Sequence, residues 1–215
     1  DLCRAAGQLR LPRDMSRIQS SRGVGGTTTS ADAIIPNLVL GTTRFPIERI
    51  SVGRFGFDDD NPPLADGLLG ADILLGFEID IDLPNRELTI YRVRRCLDTR
   101  PPWKEPYVQV SGVTSRRDRM YVPISLDGVS GTALFDTGAS TTVIGVQMAQ
   151  RLGLSEQAMA NDRVIMQRGV GSGTSKSWLH WFRELKVGPA VVRGLMLTVL
   201  STDSGVGDAL IGEDF

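Results

Sequence analysis

The sequence has few of the side chains that most often build metal centres and nucleophilic triads. Its 215 residues include one histidine, His180, and two cysteines, Cys3 and Cys96. No second Cys or His lies close to either cysteine along the chain, so the sequence predicts neither a metal site nor a cofactor. His180 alone could complete a Ser-His-Asp triad, but the G-x-S-x-G motif typical of one such class is absent.

Charge and hydropathy argue against two further kinds of partner. The formal net charge is −1, so nothing in the overall charge indicates nucleic acid or an anionic membrane. No apolar run reaches the ~18 residues of a membrane span.

The chain begins at Asp1 without an initiator Met or a signal-like segment, which is typical of a processed or trimmed chain.

The two cysteines leave the cellular compartment open. Two buried free thiols and a single disulfide between Cys3 and Cys96 are both compatible with the sequence. A disulfide would indicate an exported protein, for example a periplasmic one, whereas free thiols are compatible with the cytoplasm.

An internal repeat is the most informative feature of the chain. "SRGVGGTTTS" (residues 21–30) is similar to "QRGVGSGTSK" (residues 167–176), and "ADGLLGAD" (residues 65–72) is similar to "GDALIGED" (residues 207–214). In this alignment Gly23 corresponds to Gly169 and Gly70 corresponds to Gly212. The repeat predicts two related units, residues 1–93 and 107–215, joined by the Pro-rich linker 94–106.

Each unit is predicted to be mostly β, with short helices. "MYVPISLDGVSGTALF" alternates on both sides of Asp127-Gly128, which indicates a tight hairpin, and "FEIDIDLPNRELTIYRV" indicates a second one. "IGVQMAQRLGL" predicts a helix that ends near Gly153. An apolar strand is predicted before Gly70 and another before Gly212.

The stretch "ALFDTGASTTVI" (residues 133–144) directs a carboxylate out of an apolar strand and continues with small residues. Water can attack a peptide bond without a metal when two carboxylates hold it and share one proton, since one then acts as base and the other as acid. Asp136 is a candidate for one of them. Gly138 lets backbone and substrate approach closely, because it has no Cβ atom. A second triplet in "TDSG" (residues 202–205) aligns with a loop and is predicted not to be catalytic.

The ordered set "VPISLDGVSGTALFDTGAST", "RGVGSG" and "DALIGEDF" resembles the retropepsin-like aspartic proteases, which are the retroviral proteases and their bacterial relatives. The resemblance implies a retropepsin/pepsin-like acid protease fold in which Asp136 is catalytic. It implies that Thr137 hydrogen-bonds across to a partner loop and that Gly138 and Ser140 contact the substrate backbone. The glycine-rich hairpins would be flaps over the substrate, and their tips would be Gly23, Val24, Gly25 and Gly26 in one unit and Gly169, Val170, Gly171 and Ser172 in the other. Leu68 and Leu210 would line side-chain pockets.

The first unit contains no D-T-G triplet, and the second unit ends at Phe215 before any counterpart of the hairpin at residues 77–93. The repeat predicts a second D-T-G just upstream of Asp1, so that the two units form a pseudo-dimer within one chain. A homodimer in which two copies of Asp136 face each other is the alternative.

The resulting functional prediction is an aspartic endopeptidase that hydrolyses polypeptides. The alternative is a protein of the same fold that holds an extended peptide without cutting it, because peptide capture by strand addition does not require two aspartates.

Overall fold

The computed structural model describes residues 6–54, 65–91, 103–104, 106–115, 119–171 and 173–215. Cys3, Cys96 and Ser172 lie outside these ranges, as does most of the predicted linker 94–106. The predicted disulfide, and the export that it would indicate, therefore stay predictions.

The described part of the first unit consists of short antiparallel sheets and short helical segments. Its strands are β1 (Arg13–Gly23), β2 (Gly26–Ile34), β3 (Leu38–Leu40), β4 (Thr43–Phe45), β5 (Arg49–Gly53), β6 (Glu78–Asp82) and β7 (Glu87–Tyr91). Residues 6–8 are helical, and helix α1 is Ala71–Leu74. Strands β1, β2 and β5 form one sheet, while β3–β4 and β6–β7 are separate two-stranded pairs. A small core of Ala6, Ala33 and Val52 supports the three-stranded sheet.

The second unit is a closed sheet of eight strands. They are β8 (Val113–Thr114), β9 (Met120–Leu126), β10 (Val129–Phe135), β11 (Val143–Ile144), β12 (Arg163–Gln167), β13 (Ser175–Val187), β14 (Ala190–Leu200) and β15 (Ala209–Ile211), with helix α2 (Val146–Arg151). An additional pairing between β9 and β13 closes the sheet into a barrel. The barrel encloses an apolar core that includes Leu126, Ile144 and Phe182, so this unit has the larger core of the two.

Local sequence signals account for the second unit's hairpin and helix. Asp127 and Gly128 both have positive φ, 48° and 88°, as the predicted tight turn between β9 and β10 requires. Helix α2 ends just before Gly153, whose φ of +75° is the left-handed conformation that often terminates a helix. Both predictions are confirmed, and so is the hairpin formed by β6 and β7.

Strand β15 positions the candidate site. It pairs in parallel with β10, where Ala133 opposes Ala209, and antiparallel with β11, where Val143 opposes Leu210. All three residues of β15 are buried. The end of β10 is therefore supported on one side by a fully buried strand, which gives the following loop a rigid base.

The strand predicted before Gly70 is wrong. The structure assigns no strand to residues 65–70, and the side chain of Leu68 is 56% exposed. In the second unit the equivalent strand β15 exists because β10 and β11 lie on either side of it, whereas residues 65–70 pair with no strand in the part of the chain that the structure describes. Gly70 instead precedes helix α1.

Candidate active site

Asp136 follows the last residue of β10 and is held in a tight loop. Its backbone N–H donates to the carbonyl oxygen of Ile211 at 3.0 Å, which continues the contact between β10 and β15. The backbone N–H of Gly138 donates to Asp136 Oδ1 at 2.9 Å. Since a backbone amide orients the carboxylate, the side chain has a defined direction before any substrate binds. Among the described residues, this amide is the sole hydrogen-bond donor to the Asp136 carboxylate.

The glycine at position 138 is required by the carboxylate as well as by an approaching substrate. A Cβ atom built on Gly138 would lie 3.2 Å from Asp136 Oδ1. A side chain here would therefore press on the oxygen that the loop orients. Thr137 and Ser140 are both exposed on the same loop, and their predicted contacts with a partner loop and with substrate stay predictions.

Thr142 and Asp214 fasten this loop to the end of β15. Asp214 Oδ1 accepts from the backbone N–H of Thr142 at 2.7 Å and from its hydroxyl at 2.6 Å. The Thr142 Oγ1 atom in turn accepts from the backbone N–H of Gly212 at 3.1 Å. Thr142 is only 1% exposed, whereas Asp214 is exposed, so these bonds are shielded from water on the side of the threonine. We call this arrangement the Thr142–Asp214 clamp.

Sequence reasoning missed the Thr142–Asp214 clamp. The signal was a threonine six residues after Asp136 and an acidic residue two positions after Gly212. Neither is unusual in a surface loop, and only the approach of the two loops makes them partners. Gly212 permits that approach, because a Cβ atom there would lie 2.6 Å from the carbonyl oxygen of Ala139.

The two glycine-rich hairpins, one from each unit, meet at their tips. We call residues 23–26 the first tip and residues 169–171 the second tip. A Cβ atom built on Gly169 would lie 3.1 Å from Val24 Cβ, and one built on Gly23 would lie 2.8 Å from Val170 Cβ. The backbone N–H of Gly173 also donates to the carbonyl oxygen of Gly25 at 2.8 Å. The structure thus brings the first tip and the described residues of the second tip together within one chain.

Val24 connects the first tip to the wall of the second unit near Asp136. It packs against an apolar cluster that we call the apolar wall. The members of the apolar wall are Leu134, Ala139, Val143, Leu200, Val206 and Leu210. Leu134 and Ala139 lie on either side of Asp136 in the sequence, so the wall includes residues of the strand and the loop that carry Asp136. The structure therefore places Val24 and Leu210 in one apolar cluster, while Leu68 is exposed and outside it. Their predicted contacts with substrate stay predictions.

An ion pair holds helix α2 against β10 and β15. Arg151 Nη1 lies 2.9 Å from Asp208 Oδ1, and Asp208 Oδ2 accepts from the backbone N–H of Thr132 at 3.1 Å. The hydrogen bond from Arg151 lowers the pKa of the Asp208 carboxyl below its usual range and raises the pKa of Arg151. Asp208 is thus a structural anion next to β15.

His180 takes part in a separate contact on β13. Its Nδ1 atom lies 2.6 Å from Asp162 Oδ2, and its ring lies against Phe182 with centroids 4.9 Å apart.

In the described ranges, no group of three His, Cys, Asp or Glu side chains is arranged to hold a metal ion. The described helices include none with the length and hydropathy of a membrane span.

The barrel, the carboxylate loop at the end of β10 and the buried strand β15 define an acid-protease fold. A family model described as aspartyl protease matches residues 122–215, which include Asp136 and the complete loop that holds it. The resemblance predicted from the sequence is thereby confirmed: the chain is similar to the retropepsin-like aspartic proteases. None of the curated proteins compared with the chain matches it.

Three solved structures illustrate the similarity. A retropepsin-like aspartic protease from Rickettsia conorii is 19% identical, with 48% of this chain and 76% of that chain covered and a TM-score of 0.39. The retroviral protease-like domain of Ddi1 from Leishmania major is 24% identical, with 47% and 74% covered and a TM-score of 0.34. EIAV protease, complexed with the inhibitor HBY-793, is 19% identical, with 47% and 89% covered and a TM-score of 0.34.

Proposed function

We propose that the chain is an aspartic endopeptidase that cleaves polypeptides with a water held between two aspartates, one of which is Asp136. The observation that carries the proposal is the oriented carboxylate of Asp136, which accepts from the Gly138 amide at the end of a buried strand. The match of residues 122–215 to the aspartyl protease family supports it.

The proposed mechanism requires a second carboxylate that shares a proton with Asp136. Two carboxylates about 3 Å apart cannot both ionise, so one removes a proton from the water while the other donates a proton to the substrate. The internal repeat predicts that the second carboxylate lies just upstream of Asp1, in the first unit's counterpart of the β10 loop, in an arrangement where both units come from one chain. Contact between the two hairpin tips within the chain supports this pseudo-dimer.

The substrate would lie extended between the tips and the D-T-G loop. Val24 covers the apolar wall from one side, and Leu210 forms part of it from β15. An apolar side chain next to the scissile bond would bury its surface there, at about 25 cal/mol per Å² of apolar area removed from water. Polypeptides with apolar residues flanking the cut are therefore the proposed substrate class.

The test is cleavage of a peptide library at acidic to neutral pH by the wild type and two variants. Asp136→Asn should abolish cleavage, because an amide cannot take up and release the shared proton, and it should leave the thermal unfolding curve intact. Asp203→Asn, in the D-S-G triplet at residues 203–205, is the matched control and should cleave like the wild type. A transition-state mimic such as pepstatin should block wild-type cleavage. Wild-type activity in Asp136→Asn would contradict the assignment.

A non-catalytic peptide-binding module is the second candidate. It is favoured by one observation: in the described part of the chain, no carboxylate is hydrogen-bonded to Asp136. This candidate predicts peptide binding without hydrolysis, so measuring binding and cleavage on the same peptides separates the two functions.

A further inference from the structure

Both hairpins carry the same tetrapeptide, Arg-Gly-Val-Gly. Arg22 comes two residues before Val24 in the first hairpin, and Arg168 comes two residues before Val170 in the second. The fold needs the glycines and valines, because they pack against each other where the tips meet. Neither arginine takes part in that packing, and both are exposed.

The structure locates the Arg22 guanidinium at the edge of the apolar wall. Its Nη2 atom donates to the backbone carbonyl oxygen of Asp203 at 2.8 Å. Asp203 lies in the loop between Leu200 and Val206, which are both members of the wall. Because the acceptor is a backbone carbonyl, the contact positions the guanidinium without neutralising its charge.

The carboxylate of Asp203, the nearest along that loop, already accepts a hydrogen bond. The Asp203 side chain accepts from the backbone N–H of Gly205 at 2.9 Å. Among the residues that the structure describes, neither Arg22 nor Arg168 forms an ion pair. The free donors of each guanidinium are therefore available to a carboxylate that arrives with a ligand.

Reciprocal contacts relate the two tips that carry the arginines. Val24 lies against Gly169 and Val170 lies against Gly23. Arg22 and Arg168 therefore precede these contacts at equivalent positions, one in each hairpin. An extended peptide rises about 3.3 Å per residue, so side chains two positions apart lie on one face, about 6.6 Å from each other. In each hairpin the arginine likewise stands two positions before the valine.

We propose that Arg22 and Arg168 select substrates with an acidic side chain two residues to either side of the apolar residues at the cut. The proposal rests on the proposed function and adds a substrate class to it: acidic peptides with an apolar centre. Arginine suits this role because its planar guanidinium accepts a carboxylate through two parallel hydrogen bonds.

The experiment uses two peptides that differ only in charge. One carries Glu two positions before and two positions after a central pair of apolar residues, and the other carries Gln at both positions. The ratio of kcat/KM for the Glu peptide to that for the Gln peptide is measured for the wild type. The ratio of binding constants for the same two peptides is measured on Asp136→Asn, because a binding measurement does not require turnover.

We expect both ratios to favour the Glu peptide by roughly five- to tenfold, because each exposed ion pair contributes up to about a fivefold effect. Each single variant, Arg22→Gln or Arg168→Gln, should lower the ratio, and the double variant should bring it close to one. Arg22→Lys, which keeps the charge but cannot form two parallel hydrogen bonds, should keep only part of the preference. The ratio should also fall when salt is raised from about 0.05 M to about 0.5 M.

Two arginines at the far ends of the same hairpins serve as matched controls. Arg13 begins β1 and Arg163 begins β12, and both are exposed. Their substitution by glutamine removes the same charge away from the tips and should not change the ratio. A change of ratio equal to that of the tip variants would mean that overall charge, and not Arg22 and Arg168, causes the preference.

The outcomes separate this proposal from the proposed function. Cleavage of both peptides with a ratio near one would overturn the role of the arginines and leave the endopeptidase intact. Preferential binding of the Glu peptide that is lost in the double variant, without cleavage by the wild type, would overturn the endopeptidase and support the arginines. A double variant with the wild-type ratio in both measurements would overturn the arginine proposal directly.

Discussion

Val24 of the first tip lies directly against Gly169 of the second tip, and a Cβ atom on that glycine would approach Val24 Cβ to 3.1 Å. Val170 and Gly23 repeat the contact with the roles of the two tips exchanged. The fit depends on residues that lack a Cβ atom at the crossing point. Under the proposed function, a substrate that enters beneath the hairpins would have to separate or lift both tips.

Gly25→Ala should loosen the contact between the tips. The new Cβ atom would lie 2.9 Å from the carbonyl oxygens of Gly169, Gly171 and Gly173, so the hairpins would have to move apart. The Gly173 amide, which donates to the Gly25 carbonyl, should then exchange its hydrogen faster. Gly7→Ala is the control, since its Cβ atom would meet no atom within 4 Å. Unchanged exchange at Gly173 would contradict the interlocked tips.

Thr142→Val should destabilise the protein and impair cleavage. The substitution keeps the side-chain shape but leaves the Gly212 amide without its acceptor and removes one donor from Asp214. The expected cost is about 1–3 kcal/mol in the free energy of unfolding, measured by urea denaturation. Cleavage activity should fall by more than the loss of folding stability explains, because the loop that carries Asp136 loses its hydrogen bond to Gly212.

The neighbouring Thr141 provides the control for the Thr142–Asp214 clamp. Its side chain is exposed, so Thr141→Val should change the free energy of unfolding by less than about 0.5 kcal/mol. Asp214→Asn keeps an oxygen that can accept both bonds and should be milder than Asp214→Ala. Equal stability of Thr142→Val and the wild type would show that the clamp does not support the loop.

The Arg151–Asp208 ion pair should make stability depend on pH in the acidic range. The folded-state pKa of Asp208 is lowered by its hydrogen bond with Arg151, so the pair contributes fully above the unfolded-state value of about 4. The contribution is lost as the pH falls through the lower folded-state pKa. Relative to Asp208→Asn, the wild type should be more stable by about 1 kcal/mol at pH 6, and this difference should shrink below about pH 4.

Glu156 is a suitable control for that titration. Its side chain is 73% exposed and its contact with Lys176 is 3.9 Å long, so Glu156→Gln should not reproduce the pH dependence. A difference between wild type and Asp208→Asn that is constant from pH 7 to pH 3 would contradict the role of Asp208.

The intramolecular contact between the tips predicts a monomeric enzyme. Sedimentation should show one chain per particle, and specific activity should not depend on protein concentration, because both hairpins over the site belong to one chain. A homodimer that joins two Asp136 loops would instead lose activity on dilution. Activity that falls with dilution in parallel with a dimer–monomer transition would exclude the pseudo-dimer.

The sequence by itself determined the features that depend on residues close together along the chain. The turn at Asp127-Gly128 and the end of helix α2 at Gly153 follow from backbone conformations that few residues adopt, so a short stretch is enough to predict them. The D-T-G triplet between an apolar strand and a Gly-rich hairpin likewise indicated the fold class, because the order of the motifs is specific. The role of Asp136 stays a prediction that the proposed experiments test.

Only the tertiary structure decided which distant residues became partners. Thr142 and Asp214 are 72 positions apart, and their bond forms because β15 lies between β10 and β11, the strands at the two ends of the D-T-G loop. Leu68 and Leu210 occupy equivalent positions in the repeat, yet Leu210 is buried between β10 and β11 while Leu68 is exposed. The physical reason is that a strand needs hydrogen-bonding neighbours on its edges, and a local sequence pattern does not contain those neighbours.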